Sequence, residues 1–510
     1  MTADSLSVLI ATEGTYPFYR GGVSTWCDRL THGLPDIDFK IFALTTDPFS
    51  PNRYALAPNV SEVVRAPQWG FTQPAEYHAA LNFNSFRRHR RSTSSEAIER
   101  SFKPIFEQFL SLAFSQHPST AELGEVLVML HFYFRTHDYQ VTMNSAAAWL
   151  VFVHAARATY ESRPAATERP TLGEIKQAFR LLYHLLTVLH TRIPEVDLVH
   201  SSAAAFCGIP CVLSKLIRGT PYLLTEHGVY LREQYLNLRL QISSFFVRWF
   251  MYRLCGAIAA LSYQMADQIS PVCAYNTRWE RRLSASQKRI RVIFNGVDPE
   301  KFHPCAPTPR SRPRISTVGL IYPLKGQADL IRAARMVKQE TPNLEVRIYG
   351  ASTDSSYYSL CQRLVTENEL ERNVVFAGLT KEPWRVYSDA DIVVLPSISE
   401  GFPYVVVEAM MCGAAIIASD VGGVREALGH TGLLTPSRSP AALAKAISFL
   451  LSHPEERKRL GAMAMARARE LFTEGRFLRS YHETYWDIFL GVRPSTLFLT
   501  PEGSSHAPRS

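Results

Sequence analysis

No disulfide framework, no metal-ligand motif and no unbroken apolar run of bilayer length stand out in this sequence, and each absence removes a class of function. The eight cysteines among 510 residues are scattered. Cys207 and Cys211 come closest to a ligand pair, yet no second pair and no histidine partner accompanies them. They read as buried thiols in a reducing cytoplasm rather than as a zinc site or a stapled secreted scaffold. No signal-peptide pattern precedes the first strand, Leu6 to Ala11, which points to the same compartment. The most apolar stretch, Phe245 to Ala260, is interrupted by Arg248 and Arg253. It is expected to be a helix packed against a central sheet, with an interfacial helix as the alternative. Nucleic-acid recognition motifs and dense Lys/Arg tracts are missing as well. The strongest basic cluster, Arg87, Arg88, Arg90 and Arg91 beside His89, reads as a solvated face, with a phosphate or lipid-headgroup patch as the other reading. Charged residues make up only 20% and hydrophobic ones 46%, the balance of a globular chain. The surplus charge of +9 suits a protein that handles anionic diphosphates or rests near an acidic membrane surface.

Against these absences, the segment Ser399 to Met410, S-E-G-F-P-Y-V-V-V-E-A-M, is dense in signal. Ile392, Val393, Val394 and Leu395 before it form a buried-strand pattern closed by Pro396. After the Gly401-Phe402-Pro403 turn, Pro403 fits the first position of a helix, where a missing N–H costs nothing. The unit reads strand, tight loop, helix, and such loops at the carboxyl ends of strands are where open α/β sheets bind ligands. The helix start offers free N–H groups and partial positive charge to a phosphate. Glu408, on the helix, can accept hydrogen bonds from neutral hydroxyls, and Glu400, on the loop, can reach a sugar ring beside the phosphate. An E-x7-E pair around such a turn resembles the donor-binding motif of the retaining glycosyltransferases of family 4, which have the GT-B fold. The resemblance implies that Glu408 holds the ribose of a nucleotide sugar and that Glu400 lies against the transferred sugar.

The rest of the chain reads as two strand–helix series. The first has strand-like runs at Leu6 to Ala11, Phe39 to Leu44, Val60 to Arg65, Val196 to His200, Pro221 to Glu226 and Ala257 to Ser262. The second has them at Arg314 to Gly319, Leu344 to Gly350, Asn373 to Ala377, Asp391 to Pro396 and Ala414 to Ser419. That alternation predicts an α/β fold of two doubly wound, Rossmann-like domains. The first spans 1–305 and carries a helical insertion over about 71–192, where strand rhythm stops and stretches such as Glu174 to Thr191 become helix-compatible, with a loop at Pro164 to Pro170. The proline-rich segment Pro304 to Pro313 links it to a second domain, 306–473. A helix over 474–490 follows, and then a tail, 491–510, whose end from Pro501 to Ser510 reads as disordered. In the GT-B pattern the two domains face a cleft, and the 474–490 helix crosses back to the first domain.

The N-terminal run from Glu13 to Trp26, E-G-T-Y-P-F-Y-R-G-G-V-S-T-W, brings Gly21 and Gly22 behind the first strand, where bare backbone can approach an anionic ligand closely. With Thr225 to Glu233 (T-E-H-G-V-Y-L-R-E) and Arg291 to Asp298 (R-V-I-F-N-G-V-D), this run resembles the PelF-type glycosyltransferases of family 4, which act in exopolysaccharide synthesis. The resemblance covers nearly the whole chain. It implies that His227 contacts the donor sugar near its reactive carbon. Arg232, by its charge, reads as serving an anionic group, with a surface ion pair to Glu233 or Glu226 as the alternative. Asn295 is structural first and substrate-facing second. Family 4 enzymes commonly carry G-R-x-x-x-x-K-G after the first strand of the second domain. Here Gly319 to Gly326 reads G-L-I-Y-P-L-K-G, so Lys325 is present and Leu320 replaces the arginine. Arg20 is the candidate to supply that charge from the facing domain. The implied activity is transfer of a hexose, with retention, from a nucleoside diphosphate sugar (UDP-glucose by resemblance) to a saccharide acceptor. No metal or other cofactor is required, and membrane-associated export proteins are the expected partners, at the inner membrane face. The alternative is a catalytically weak or inactive nucleotide-sugar-binding subunit of a polysaccharide assembly complex.

Overall fold

Fully parallel sheets form where strands alternate with helices and are covered on both faces, and this chain builds two of them. The computed structural model describes residues 5–69, 83–161, 169–283, 285–352 and 354–491. In the first half, β1 (Ser7–Glu13), β2 (Asp38–Thr45), β3 (Val60–Pro67), β4 (Leu198–Ser201), β5 (Tyr222–Glu226) and β6 (Gln268–Pro271) lie in the order β3-β2-β1-β4-β5-β6. In the second, β7 (Arg314–Val318), β8 (Glu345–Tyr349), β9 (Val374–Gly378), β10 (Ile392–Leu395), β11 (Ile416–Ser419) and β12 (Leu433–Thr435) lie in the order β12-β11-β10-β7-β8-β9. Counted from each half's own first strand, the two orders are identical. Both reverse between first and fourth strands, at β1/β4 and at β7/β10, and a ligand crevice opens at such a reversal beyond the carboxyl ends.

Period-two alternation explains why β1 reads as a continuous apolar run. Leu9 and Ala11 join one core with Phe42 and Leu44, while Val8 and Ile10 join another with Phe39 and Ile41. The first core is completed by the long helical passage between β3 and β4, including Lys103–Phe114, Thr120–Phe134, Ala146–Glu161 and Leu172–Leu185. The last of these starts with a capping box between Thr171 and Glu174 and tightens into a 3-10 turn at Leu186–His190. The second core is closed by the helix Glu474–Phe489, which returns to the first half and buries Phe477, Tyr481 and Tyr485 against β1 and Trp26. The two crossing segments meet where Val297 bridges Thr473.

Two expectations need correction. Ala257 to Ser262 is not a strand; it lies inside the helix Phe245–Met265, and the sixth strand is Gln268–Pro271. Ala257, Ile258, Ala259, Leu261 and Ser262 are all buried, and a helix covered on most sides produces the same short apolar run as a buried strand. Nor do Arg248 and Arg253 shorten that helix. It runs 21 residues and is apolar enough, by length and composition, to cross a bilayer, but 61% of its apolar window is buried inside the protein. Arg248 folds back to donate to the carbonyls of Ile242 and Ser243 at 2.7 and 2.6 Å. The 492–510 part of the tail, the expected disorder at Pro501 to Ser510 and most of the Pro164 to Pro170 loop lie outside the described residues.

Candidate functional site

The loops leaving β7 and β10 are drawn together by backbone. Gly326 ends a 3-10 turn, Pro323–Lys325, with φ of +69°, and a Cβ there would lie 2.0 Å from the carbonyl oxygen of Pro396. Only glycine meets both demands. Ile398 N donates to Leu324 O at 2.8 Å. This contact brings Lys325 Nζ to 2.7 Å from Glu400 Oε1, which also accepts from Ser397 Oγ at 2.6 Å. Glu400 is 8% exposed and Lys325 34%, so the acid is held and the base faces outward.

The first half meets this pair through the loop after β5. A Cβ on Gly401 would stand 1.9 Å from the carbonyl oxygen of His227, so backbone presses on backbone across the cleft. The imidazole packs edge-on to Trp26, with centroids 4.8 Å apart. Its Nε2 is enclosed and has no hydrogen-bond partner among the described residues. Although the residue as a whole keeps some exposure, burial of the ring holds its pKa down to about 3, so it is a neutral imidazole at ordinary pH. Two residues of the following helix, Tyr230–Gln241, join the site. Arg232 Nη1 donates to Ser399 Oγ at 2.5 Å. Glu233 has an exposed outer surface but tucks its carboxyl under Gly228. Its pKa is raised by burial, opposed by Arg232, raised further by Glu400 and opposed by Lys325.

Glu408 occupies a different corner. It lies on the helix Tyr404–Met411 and accepts from Tyr387 Oη at 2.8 Å. Burial raises its pKa, while the Tyr387 hydroxyl, Arg29 and Lys301 pull the other way. Pro403 is the N-cap of that helix rather than its first residue, and no side chain caps the end; Val406 N donates to Pro403 O at 3.2 Å, which leaves the amides of Tyr404 and Val405 without a partner among the described residues. Gly22 starts the helix Gly22–Gly33 and faces Tyr404, 3.8 Å from where its Cβ would be; around Gly21 the space is open. The structure thus gathers Lys325 with Glu400, Gly401 with His227, and Gly22 with the helix of Glu408.

Other expected residues are placed less directly. The Phe402 ring is packed between Phe294 and Phe472, at 5.2 and 5.3 Å, so any share it has in a ligand site runs through its backbone. Asn295 is buried and donates to Phe402 O at 3.3 Å, while its Oδ1 has no partner among the described residues. Arg20 is exposed beside Gly21. Leu320 is 47% exposed, an apolar side chain at the open edge of the β7 loop. Sequence reasoning missed Arg29 and Tyr404. Arg29 is held by Gly296 O and by Glu474 at 3.4 Å, and its guanidinium lies 5.0 Å from the Tyr404 ring centre. The Tyr404 hydroxyl is enclosed without a partner among the described residues. The only signal was position: both lie inside or just behind the motifs already singled out.

With this geometry in view, comparison with known proteins is informative. Residues 6–288, more than half of the chain, match the family described as "Domain of unknown function (DUF3492)", and residues 300–467 match "Glycosyl transferases group 1". The chain is 26% identical over 363 residues to the alpha-maltose-1-phosphate synthase of Mycolicibacterium smegmatis, spanning 66% of this chain and 90% of that protein. It is 32% identical over 229 residues to a D-inositol 3-phosphate glycosyltransferase of Corynebacterium glutamicum, spanning 40% of this chain and only 54%, about half, of that relative. Among solved structures, sucrose-phosphate synthase from Thermosynechococcus elongatus aligns with a TM-score of 0.60 at 19% identity, covering 96% of this chain and 100% of the other. Anabaena HepE in complex with UDP aligns at 0.57 and 14%, covering 94% and 100%. These two share the fold. The chain belongs to the DUF3492 family, with a glycosyl transferases group 1 half behind that domain, and is a glycosyltransferase of GT-B fold.

Proposed function

We propose that the protein is a retaining hexosyltransferase of the PelF-like, family 4 type, moving a hexose from a nucleoside diphosphate sugar to a saccharide acceptor in exopolysaccharide synthesis. The observation that carries this reading is the Lys325–Glu400 pair on the loops flanking the β7/β10 reversal, with the neighbouring Gly401 pressed against the backbone carbonyl of His227 in the other half. A cation and helix amides suit a leaving diphosphate, and a largely enclosed carboxylate held by Lys325 and Ser397 suits the hydroxyls of a sugar. A retaining glycosidase would need two carboxyl groups facing each other across the scissile bond; here one, Glu400, is paired with Lys325 and the other, Glu408, accepts from Tyr387 Oη. In the proposed reaction the sugar–phosphate bond breaks, the departing phosphate oxygen takes the acceptor hydroxyl's proton, and the new glycosidic bond forms on the same face. The protein then acts by positioning and by stabilising charge, with no metal required.

UDP-glucose is the proposed donor. HepE, which shares the fold, has been crystallised with UDP-glucose. The proposed setting is the cytoplasm, at the inner membrane face beside export proteins. Incubating the protein with a panel of nucleotide sugars and oligosaccharides, with and without EDTA, tests this. Release of nucleotide coupled to growth of an α-configured product, lost in Glu400→Ala, supports it. Tight UDP binding with no turnover of any donor would instead favour a non-catalytic binding subunit, the reading to which exposed, uncharged Leu320 lends weight.

A further inference from the structure

A departing diphosphate needs cations, and the β7 loop presents one. Lys325 is there, paired with Glu400 at 2.7 Å, whereas Leu320 offers an apolar surface that is 47% exposed. Three arginines of the first half lie around the cleft. Arg29 is committed to Gly296 O, Glu474 and the Tyr404 ring. Arg20 is exposed beside Gly21, with no hydrogen bond to the second half among the described residues. Arg232 alone of the three reaches the loop that carries Glu400, and it does so through an unusual partner.

Its single hydrogen bond among the described residues goes to the neutral hydroxyl of Ser399, at 2.5 Å, and the Glu233 carboxyl acts on it electrostatically with no ion-pair contact among the described residues. Glu226 is turned inward, accepting from Tyr230 N and Tyr263 Oη at 2.9 Å each, and the Glu233 carboxyl is folded under Gly228. A guanidinium carries five donors in a planar fork and a permanent charge. One serine satisfies one donor and balances no charge. An arginine serving only to tie two halves together gains more from a carboxylate, whereas a fork left open at the edge of a cleft fits two phosphate oxygens.

Resting on the nucleotide-sugar reading above, we infer that Arg232, placed on Ser399 at the edge of the Glu400 loop, grips the donor's diphosphate and takes the place of the cation absent at Leu320. The test is calorimetric binding of UDP, UMP and uridine to wild type, Arg232→Ala, Arg232→Lys, Ser399→Ala and the double variant Arg232→Ala/Leu320→Arg, at two salt concentrations. Arg232→Ala should weaken UDP roughly tenfold to a hundredfold, leave uridine unchanged and flatten the salt dependence. Lysine should recover part of the loss, the double variant more, and Ser399→Ala should keep the preference for UDP over uridine. Arg232→Ala that retains this preference, or Ser399→Ala that reproduces the whole loss, would overturn the assignment alone. Wild type that binds none of the three ligands would overturn the nucleotide-sugar reading itself, and this inference with it.

Discussion

Lys325 Nζ stands 2.7 Å from Glu400 Oε1, joining the loops that leave β7 and β10, the two strands at the reversal point of the second sheet. Because Ser397 donates to the same oxygen, Glu400 is fixed by two partners. Replacing it by glutamine keeps the shape and removes the charge. Glu400→Gln should lower kcat roughly a hundredfold with little change in donor KM, as expected for a group that acts most strongly as the bond breaks. Steady-state kinetics with the best donor checks this. An effect confined to KM would move Glu400 out of the chemical step.

Glu408 should behave in the opposite way. Its hydrogen bond from Tyr387 Oη, 2.8 Å, anchors it on a helix apart from the Lys325–Glu400 pair, and a contact to a ribose would be equally strong before and during the reaction. Glu408→Ala is expected to raise donor KM about tenfold or more with kcat within a few fold, because uniform binding is lost. Tyr387→Phe, which leaves Oε2 without its donor, should shift KM in the same direction by less. A collapse of kcat with unchanged KM in either variant contradicts this division of labour.

Gly401→Ala tests the closeness of the two halves. The new methyl would fall 1.9 Å from His227 O, a backbone atom that cannot swing aside. The cleft must open or the loop must move, at a cost on the order of 1–3 kcal/mol. Lower melting temperature together with loss of transfer activity is the expected pair of results. Unchanged values for both would mean that the halves are not pressed together at this point in solution.

Much of this was legible from residue order. Short apolar runs such as Ile392 to Leu395 identified ten of the twelve strands within a residue or two, with β4 starting two residues later than expected. Glycine-bearing turns after β1, β5, β7 and β10 indicated where loops converge. Legibility failed where local pattern is ambiguous or silent. Ala257 to Ser262 looks the same buried in a helix as in a strand; β6, buried at all four positions but with polar Gln268 and Ser270 in it, did not register; and β12 is three residues long. The Arg29–Tyr404 contact joins residues 375 positions apart, and the Arg232–Ser399 bond residues 167 apart. No window along the chain contains such pairs.

Burial of two ionisable groups, one at the cleft and one in the first half's interior, gives opposite pH signatures that can be read separately. His227 is held near pKa 3, below the 6.5 of a free imidazole. Between those values the unfolded chain binds more protons than the native one, so this contribution is complete above pH 6.5 and is lost as pH falls toward 3. Glu280 is fully buried, with both carboxyl oxygens unpartnered among the described residues, and burial, reinforced by Glu226, lifts its pKa from 4.5 to about 9. Here the native state binds more protons, so the contribution is complete below pH 4.5 and is lost as pH rises toward 9. Each effect has a limiting slope of about 1.4 kcal/mol per pH unit. Glu280→Gln compared with wild type by denaturant unfolding at each pH should therefore gain relative stability steadily from pH 5 to 9, whatever constant offset the amide brings. His227→Gln should gain relative stability only as pH falls below 6.5. A pH-independent difference for Glu280→Gln would mean that its carboxyl ionises as freely in the folded protein as in the unfolded chain, which the enclosed site between Glu226 and the surrounding core does not permit.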